Sequence, residues 1–255
     1  DASKFVSNYD NPSKLATGGN ETSMVRALTA LKQRSDIVGL VSAGSTGCLM
    51  IASIFRLGLL GKLMQPALSS ALYNVHGDFF CLVDCGANLN CKVRDIVDYA
   101  RMGSVFMSAM NGIESPHVGL LNVGREESKG TGLLKEAYAA LRDDESVNFI
   151  GNIEGSDVLT GEADVVVCDG FTGNVLLKSL EATGLAAAKM MGSPENVVKF
   201  FDYNNQGGAT FLGTEKIIVK AHGAANEETV KACLNQAWRM EQGGFTEKMA
   251  AAMRD

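Results

Sequence analysis

The chain repeats one pattern of apolar and polar positions: a short apolar run, then a loop of glycine and small polar residues, then a segment with helical spacing. The apolar runs predict five strands, at 37–41, 79–83, 118–123, 163–168 and 217–220. The segments after the loops predict helices in LMIASIF, VRDIVDYARMGSVFMSAM, LLKEAYAALRD, VLLKSLEATGLAAAKMM and VKACLNQAWRM. The chain is therefore expected to alternate between strands and helices.

Strands that alternate with helices, and that are apolar enough to be covered on both faces, indicate a mostly parallel sheet with helices on each side. The predicted class is thus an α/β fold. The units differ in spacing and sequence, which excludes a repeat array. We expect one domain over residues 1–255, with an irregular excursion at 192–213, where proline, paired glycines and aromatic residues interrupt the pattern.

The polar loops follow the predicted strands directly. Ligands of open α/β sheets bind beyond the carboxyl ends of the strands. We therefore expect the loops to face one crevice, and these loops are SAGSTG, DCGAN, GREESKG, DGFTGN and AHG. The alternative for any single loop is an ordinary turn, because turns and helix starts also favour Gly, Ser, Asn and Asp.

The SAGSTG loop fits a compact anion better than a nucleotide. It has no lysine where a P-loop needs one, and it has neither the GxGxxG spacing nor a suitably placed acidic residue for a ribose. Gly44 and Gly47 allow close backbone approach, and Ser45 and Thr46 add hydroxyl donors at a helix N-terminus. An ordinary Ser/Thr helix cap is an equally good reading of this loop alone.

Three further side chains in the loops are not required by turn geometry. Lys129 in GREESKG supplies the charge that a phosphate needs, or else pairs with a neighbouring glutamate. Asn174 in DGFTGN is a helix cap, or an amide donor for developing negative charge. His222 follows the last predicted strand, and its role there is either functional or structural.

Composition narrows the function classes. The 255 residues are 46% hydrophobic with a net charge of −6 and no basic run, which argues against nucleic acid as a partner. Six cysteines without a CxxC pair or histidines at ligand spacing argue against zinc, and indicate reduced thiols in a cytoplasmic protein. No apolar run approaches the ~18–20 residues of a membrane span. Because the chain begins with Asp1 in a polar stretch, we expect it to be part of a longer natural sequence.

No conventional nucleophile is apparent in the sequence. A GxSxG elbow is missing, and no cysteine lies beside a histidine base. A reaction in which a bound anion is itself the nucleophile fits this absence.

Several long motifs, in order, resemble the phosphate acyltransferase (PlsX) family of bacterial phospholipid synthesis. The resemblance extends from about Ser23 to about Gln236 and rests on SAGSTGCLM, DCGANLNCK, MGSVFM, IESPHVGLLNVGREESKGTGLLKEAY, NFIGNIEGSDVLTGEADVVVCDGFTGNVLLK and IIVKAHG. It implies transfer of a long-chain fatty acyl group from acyl carrier protein to inorganic phosphate, which gives acyl phosphate. No cofactor or metal is implied.

The resemblance also implies a fold and an assembly. The fold would be a Rossmann-like three-layer α/β/α sandwich similar to phosphate acetyltransferases and isopropylmalate dehydrogenases. The protein would be a cytoplasmic homodimer that contacts the membrane peripherally through a helical tip and supplies a glycerol-3-phosphate acyltransferase. The family's N-terminal strand and DAMGGD-type loop are absent from this chain, and the helical excursion after Met191 is shorter than the family leads us to expect.

Residue roles follow from the family motifs. The lysine of the EE-x-KG loop matches Lys129 and the asparagine of DGF-x-GN matches Asn174, which we take as catalytic. Ser45 stands where the family more often has asparagine in SAGNTG. The candidate phosphate- or substrate-binding residues are Ser42, Gly44, Ser45, Thr46, Gly47, Asn88, Glu126, Asp169, Thr172, Gly173 and His222.

Two other functions remain open from the sequence. A phosphate acetyl- or butyryltransferase would use the same chemistry with coenzyme A as the carrier. A non-catalytic phosphate-binding module would keep the same loops as structure. A dehydrogenase is disfavoured, because neither a dinucleotide fingerprint nor a set of metal-binding aspartates is present.

Overall fold

The structure is a computed structural model that describes residues 2–7, 9–192, 194, 197 and 207–254. Its strands are β1 (Gly39–Ser42), β2 (Ala67–Tyr73), β3 (Phe79–Val83), β4 (His117–Asn122), β5 (Asn148–Glu154), β6 (Val165–Val167), β7 (Ala209–Leu212) and β8 (Ile217–Lys220). Its α-helices are α1 (Ser23–Gln33), α2 (Thr46–Leu57), α3 (Val93–Asn111), α4 (Gly132–Arg142), α5 (Gly170–Met190), α6 (Glu227–Gln242) and α7 (Phe245–Ala252). A short 3-10 helix, Pro12–Leu15, precedes α1.

The strands form one eight-stranded sheet, with helices packed on both faces. Alternate residues of β3 point to opposite faces: Cys81 and Val83 join the core under α3, α4, α6 and α7, while Phe80 and Leu82 join the core under α1, α2 and α5. The predicted three-layer α/β class is therefore confirmed.

Each of the five predicted strands overlaps a strand of the structure, namely β1, β3, β4, β6 and β8. Three strands, β2, β5 and β7, were not predicted. The excursion predicted at 192–213 ends in one of them, because Ala209–Leu212 form β7 between β2 and β8. Most of the rest of that excursion, at 193, 195–196 and 198–206, lies outside the described residues.

The sheet order is β1-β8-β7-β2-β3-β6-β4-β5, and the strand directions change in its middle. β1 and β8 are parallel to each other, and β3, β6, β4 and β5 are parallel to one another. Between these two groups, β7 is antiparallel to both β8 and β2, and β2 is antiparallel to β3. Three reversals make the two parallel groups run in opposite directions.

The five loops therefore do not all lie at one edge of the sheet, although four of them contribute residues to one pocket. SAGSTG and AHG follow β1 and β8 at one edge, whereas DCGAN, GREESKG and DGFTGN follow β3, β4 and β6 at the opposite edge. The physical reason is the antiparallel pairing of β2 and β7, which the sequence pattern did not reveal.

Among the described residues, no helix has both the length and the apolar character needed to cross a membrane.

Candidate active site

The start of α5 packs unusually close to the loop after β3. A Cβ atom on Gly173 would lie 2.0 Å from the backbone oxygen of Asp84, and one on Gly170 would lie 2.6 Å from that of Asn88. Only glycine fits at either position. The carboxylate of Asp169 caps the helix by accepting hydrogen bonds from the N–H groups of Phe171 and Thr172 at 3.0 and 2.9 Å. The first turn of α5 is thus fixed against the DCGAN loop.

The DCGAN loop is organised around the buried carboxylate of Asp84. Its Oδ1 accepts hydrogen bonds from the backbone N–H groups of Leu68, Gly86 and Ala87 at 3.0–3.1 Å. Its Oδ2 accepts the Asn88 backbone N–H at 2.7 Å. Burial raises the pKa of Asp84, and these backbone donors oppose that rise. The loop is therefore a rigid support for α5.

The side chain of Asn174 lies directly over this loop. Its Nδ2 donates to the backbone oxygen of Cys85 at 3.2 Å, and a Cβ on Gly86 would lie 2.9 Å from the same nitrogen. Gly86 has a φ of 137°, a conformation that L side chains rarely adopt. The amide of Asn174 is therefore held at a defined place while its side chain stays exposed.

A pocket of about 270 Å³ opens beside Asn174 on the sheet face that α2 and α5 cover. Leu68, Ser70 and Leu72 alternate along β2 and form part of its floor. The other lining residues come from β2, α2, α5, the DCGAN loop, and the segments in or next to β7 and β8: Thr46, Ala71, Cys85, Gly86, Asn174, Leu177, Lys178, Glu181, Gly207, Gly208, Ala209, Lys220 and His222. The pocket thus bridges the two edges of the sheet.

The lining of the pocket carries more positive than negative charge. Lys178 and Lys220 contribute two ammonium groups, and Glu181 contributes the one carboxylate among the described residues that line the pocket. Lys178 pairs with Glu181 at 2.8 Å on the surface of α5. The Lys220 ammonium donates to the backbone oxygen of Ala221 at 2.6 Å, and burial lowers the pKa of this lysine. An anion is the ligand that this charge pattern favours.

The imidazole of His222 completes the basic side of the pocket. Its Nδ1 accepts a hydrogen bond from the Ala224 N–H at 3.2 Å, so the neutral ring carries its hydrogen on Nε2. Burial lowers the pKa of His222, and the nearby charges of Lys178 and Lys220 lower it further. The ring is therefore a neutral hydrogen-bond donor at neutral pH.

The SAGSTG loop reaches the pocket at the N-terminus of α2. Ser45 is the N-cap residue, yet its side chain makes no capping hydrogen bond. Thr46 begins the helix and lines the pocket. Ser42 and Gly44 line a separate hollow of about 410 Å³ beside α1, and the Ser42 hydroxyl accepts the Gly44 N–H at 3.3 Å.

The GREESKG loop is fixed at the far side of the sheet by a buried pair of amides. Asn122 donates to the Oδ1 of Asn152 at 3.1 Å and to the backbone oxygen of Lys129 at 3.3 Å, and Asn152 donates to the backbone oxygen of Glu126 at 3.0 Å. The Lys129 ammonium lies 3.9 Å from the Glu126 carboxylate, and the Lys129 side chain is 47% exposed. Lys129 does not line the pocket.

The candidate residues therefore separate into groups. The structure brings Thr46, Asn174 and His222 together in the pocket. It places five others in supporting roles, as cap, loop anchor or close-packed backbone: Ser45, Asn88, Asp169, Thr172 and Gly173. A Cβ on Gly47 would meet Pro12 at 3.6 Å. Glu126 and Lys129 lie elsewhere, at the edge after β4.

Two pocket lysines were missed by the sequence reasoning, although each has a positional signal. Lys178 follows Asn174 by one helical turn on α5, so both lie on one face of the helix. Lys220 precedes His222 by two positions at the end of β8, so both lie on one face of an extended segment. Across the described ranges, no three His, Cys, Asp or Glu side chains are grouped so that they could hold a metal ion.

Comparisons of sequence reveal clear relatives. A family described as "Fatty acid synthesis protein" matches residues 1–248. The phosphate acyltransferases of Bacillus cereus strain B4264 and Bacillus mycoides strain KBAB4 are each 39% identical to this chain, over 92% of it and 76% of the relative.

Two solved structures share the fold at much lower identity. A branched-chain phosphotransacylase from Enterococcus faecalis V583 has a TM-score of 0.65 at 17% identity, over 88% of this chain and 80% of that one. The EutD phosphotransacetylase from Staphylococcus aureus has a TM-score of 0.53 at 14% identity, over 95% and 78%. These likenesses describe the arrangement of strands and helices.

Proposed function

The chain belongs to the fatty acid synthesis protein family and is a phosphate acyltransferase, and from this premise we propose that its acyl donor is a long-chain acyl carrier protein. The enzyme transfers an acyl group to phosphate. The observation that carries the proposal about its site is the pocket that joins the amide of Asn174 to Lys178, Lys220 and His222.

The proposed reaction needs no nucleophilic side chain. An oxygen of inorganic phosphate attacks the carbonyl carbon of the thioester, and a C–O bond forms as the carbonyl becomes a tetrahedral oxyanion. The oxyanion then collapses, the C–S bond breaks, and the thiolate leaves and takes up a proton. The protein's part is to desolvate the phosphate and aim it at the carbonyl.

Asn174 is proposed as the donor to the oxyanion. Its Nδ2 is held 3.2 Å from the Cys85 oxygen, and the second hydrogen of the same amide group is available to a ligand in the pocket. The N-terminus of α2, with Thr46 at its first position, adds backbone N–H groups that attract negative charge. Such preorganised donors act where charge develops in the transition state.

Lys129 is proposed as a second catalytic residue, as the family resemblance implies. Its loop follows β4, and DGFTGN follows β6, the strand that pairs with β4. Both loops therefore lie at one edge of the sheet, and a substrate that crosses this edge would meet Lys129 and then the start of α5.

Three further properties are proposed from the resemblance: a homodimer, peripheral contact with the membrane, and delivery of acyl phosphate to a glycerol-3-phosphate acyltransferase. Met190 and Met191 at the end of α5 are 88% and 64% exposed, which supports an apolar contact near the segment that follows.

The test is acyl phosphate formation from acyl carrier protein thioester, measured by trapping the product with hydroxylamine. Asn174→Ala is expected to lower the rate about 100- to 1,000-fold, the usual cost of losing one oxyanion donor. Lys129→Ala is expected to lower it as well, while the exposed α4 lysine variant Lys135→Ala keeps the wild-type rate. Wild-type rates for both Asn174→Ala and Lys129→Ala would contradict these roles.

The identity of the donor is tested by competition between acyl carrier protein and coenzyme A thioesters of equal chain length. We expect the carrier protein thioester to have the larger kcat/KM. A preference for a short-chain coenzyme A thioester would instead identify a phosphate acetyl- or butyryltransferase. Phosphate binding without acyl phosphate formation from either donor would identify a non-catalytic module.

A further inference from the structure

We propose that Lys220, Lys178 and His222 form the seat of the phosphate nucleophile, in the pocket that Asn174 also lines. This inference rests on the proposed function and deepens it, because it says which groups hold the phosphate. Neither lysine was among the candidates from the sequence.

Lys220 is the central member of this seat. It ends β8, is half-buried, and pairs in register with Ser42 of β1 and Ala209 of β7. Its ammonium donates to the Ala221 oxygen, and no carboxylate in the described part of the chain forms an ion pair with it. A half-buried charge without an opposite charge is costly, so a bound anion would stabilise this side chain.

Lys178 and His222 line the same pocket as Lys220. Lys178 keeps Glu181 as a partner at 2.8 Å, so this pair is neutral and Lys220 supplies the net positive charge. The Nδ1 of His222 accepts the Ala224 N–H, so the neutral ring carries its hydrogen on Nε2. The three side chains offer one phosphate several donors and no competing unpaired carboxylate.

The wall beside this seat is backbone without side chains. Gly207 and Gly208 line the pocket next to Ala209, and the buried side chain of Gln236 fixes them. Gln236 accepts the Gly208 N–H at 2.8 Å and donates to the Gly208 oxygen at 3.0 Å. An anion can therefore approach this wall closely without meeting a side chain.

Lys220 and Asn174 are positioned by different strands of the sheet. Lys220 lies on β8, β7 and β2 form the floor beside it, and Asn174 stands over the loop that follows β3. Because neighbouring strands are about 4.8 Å apart, the backbones of β8 and β3, which lead to Lys220 and to the loop under Asn174, are separated by three strand spacings, or roughly 14 Å. Side chains and substrates fill that span.

The experiment measures inorganic phosphate binding and steady-state kinetics in the same set of variants. Lys220→Met is expected to weaken phosphate binding, read by calorimetric titration, by roughly 10- to 100-fold, and to raise the KM for phosphate similarly. The KM for the acyl donor should stay within about twofold. Lys178→Met should act in the same direction. Lys231→Met is the control, since this α6 lysine also pairs with a glutamate three positions away, Glu228, and its side chain is 71% exposed.

Two results would overturn the seat while leaving the proposed function intact. One is wild-type phosphate affinity in Lys220→Met with folding verified by thermal melting. The other is a KM for phosphate that rises only in Lys129→Met. Failure of the wild-type enzyme to form acyl phosphate from acyl carrier protein thioester would instead contradict the proposed acyl donor. The phosphate titration would still show whether Lys220 and Lys178 contribute to phosphate binding.

Discussion

Replacing Asp84 by alanine removes the acceptor around which the DCGAN loop is built. The carboxylate is fully buried and accepts hydrogen bonds from four backbone N–H groups, those of Leu68, Gly86, Ala87 and Asn88. Asp84→Ala leaves all four donors without this partner. The change also loosens the surface on which Gly173 packs.

The expected loss of stability follows from these four bonds. A buried donor left unsatisfied costs about 1–3 kcal/mol, and water entering the space vacated by the carboxylate keeps each cost near the lower limit. The raised pKa of Asp84 indicates that its burial is itself costly, which again favours the lower limit. We therefore expect the free energy of unfolding to fall by about 4 kcal/mol.

Thermal unfolding provides the assay. A loss of about 4 kcal/mol corresponds to a fall in Tm of roughly 8–16 °C for a chain of this size. Asp164→Ala is the matched control, because that carboxylate accepts a single backbone N–H, from His117 at 2.7 Å, and should cost about 1 kcal/mol. If Asp84→Ala were no more destabilising than Asp164→Ala, the backbone bonds would not be the source of the loop's rigidity.

Three more outcomes follow from the structure. Gly173→Ala places a Cβ 2.0 Å from the Asp84 oxygen and should lower both Tm and activity, whereas Gly132→Ala, with open space around it, should change neither in the same assays. Asn152→Leu breaks the buried amide pair and should lower the free energy of unfolding by about 2 kcal/mol in urea titrations; an unchanged midpoint would contradict this. The folded-state pKa of His222 is below its ordinary 6.5, so the unfolded state binds its proton more readily. Stability should therefore be lost as pH falls below about 6.5, and His222→Gln should reduce that loss.

The sequence predicted the elements that follow the strand, loop and helix pattern, because each of those strands is a short, mainly apolar run that precedes a polar loop. β3 and β8 were predicted with their observed limits, and β1, β4 and β6 within one to two residues at each end. β2 was missed because its run ALSSALY mixes serines with apolar residues. β7 was missed because it follows a proline- and glycine-containing segment that interrupts the pattern.

The missed strands explain why the site was predicted only in part. β2 and β7 reverse the sheet, so strand-end loops that look equivalent in sequence lie at opposite edges. The pocket forms over the reversal, where Thr46 and His222 from one edge meet Asn174 from the other. Gly173 and Asp169 of the same loops were predicted to bind phosphate or substrate, and in the structure they support the start of α5.

The central claim is that phosphate itself attacks the thioester. The most direct measurement is to incubate the enzyme with acyl carrier protein thioester first without and then with phosphate, following the intact mass of the enzyme and the release of thiol. The account predicts no acylated enzyme and no thiol until phosphate is added, and then one thiol for each acyl phosphate. An enzyme that gains the mass of the acyl group in the absence of phosphate would contradict it.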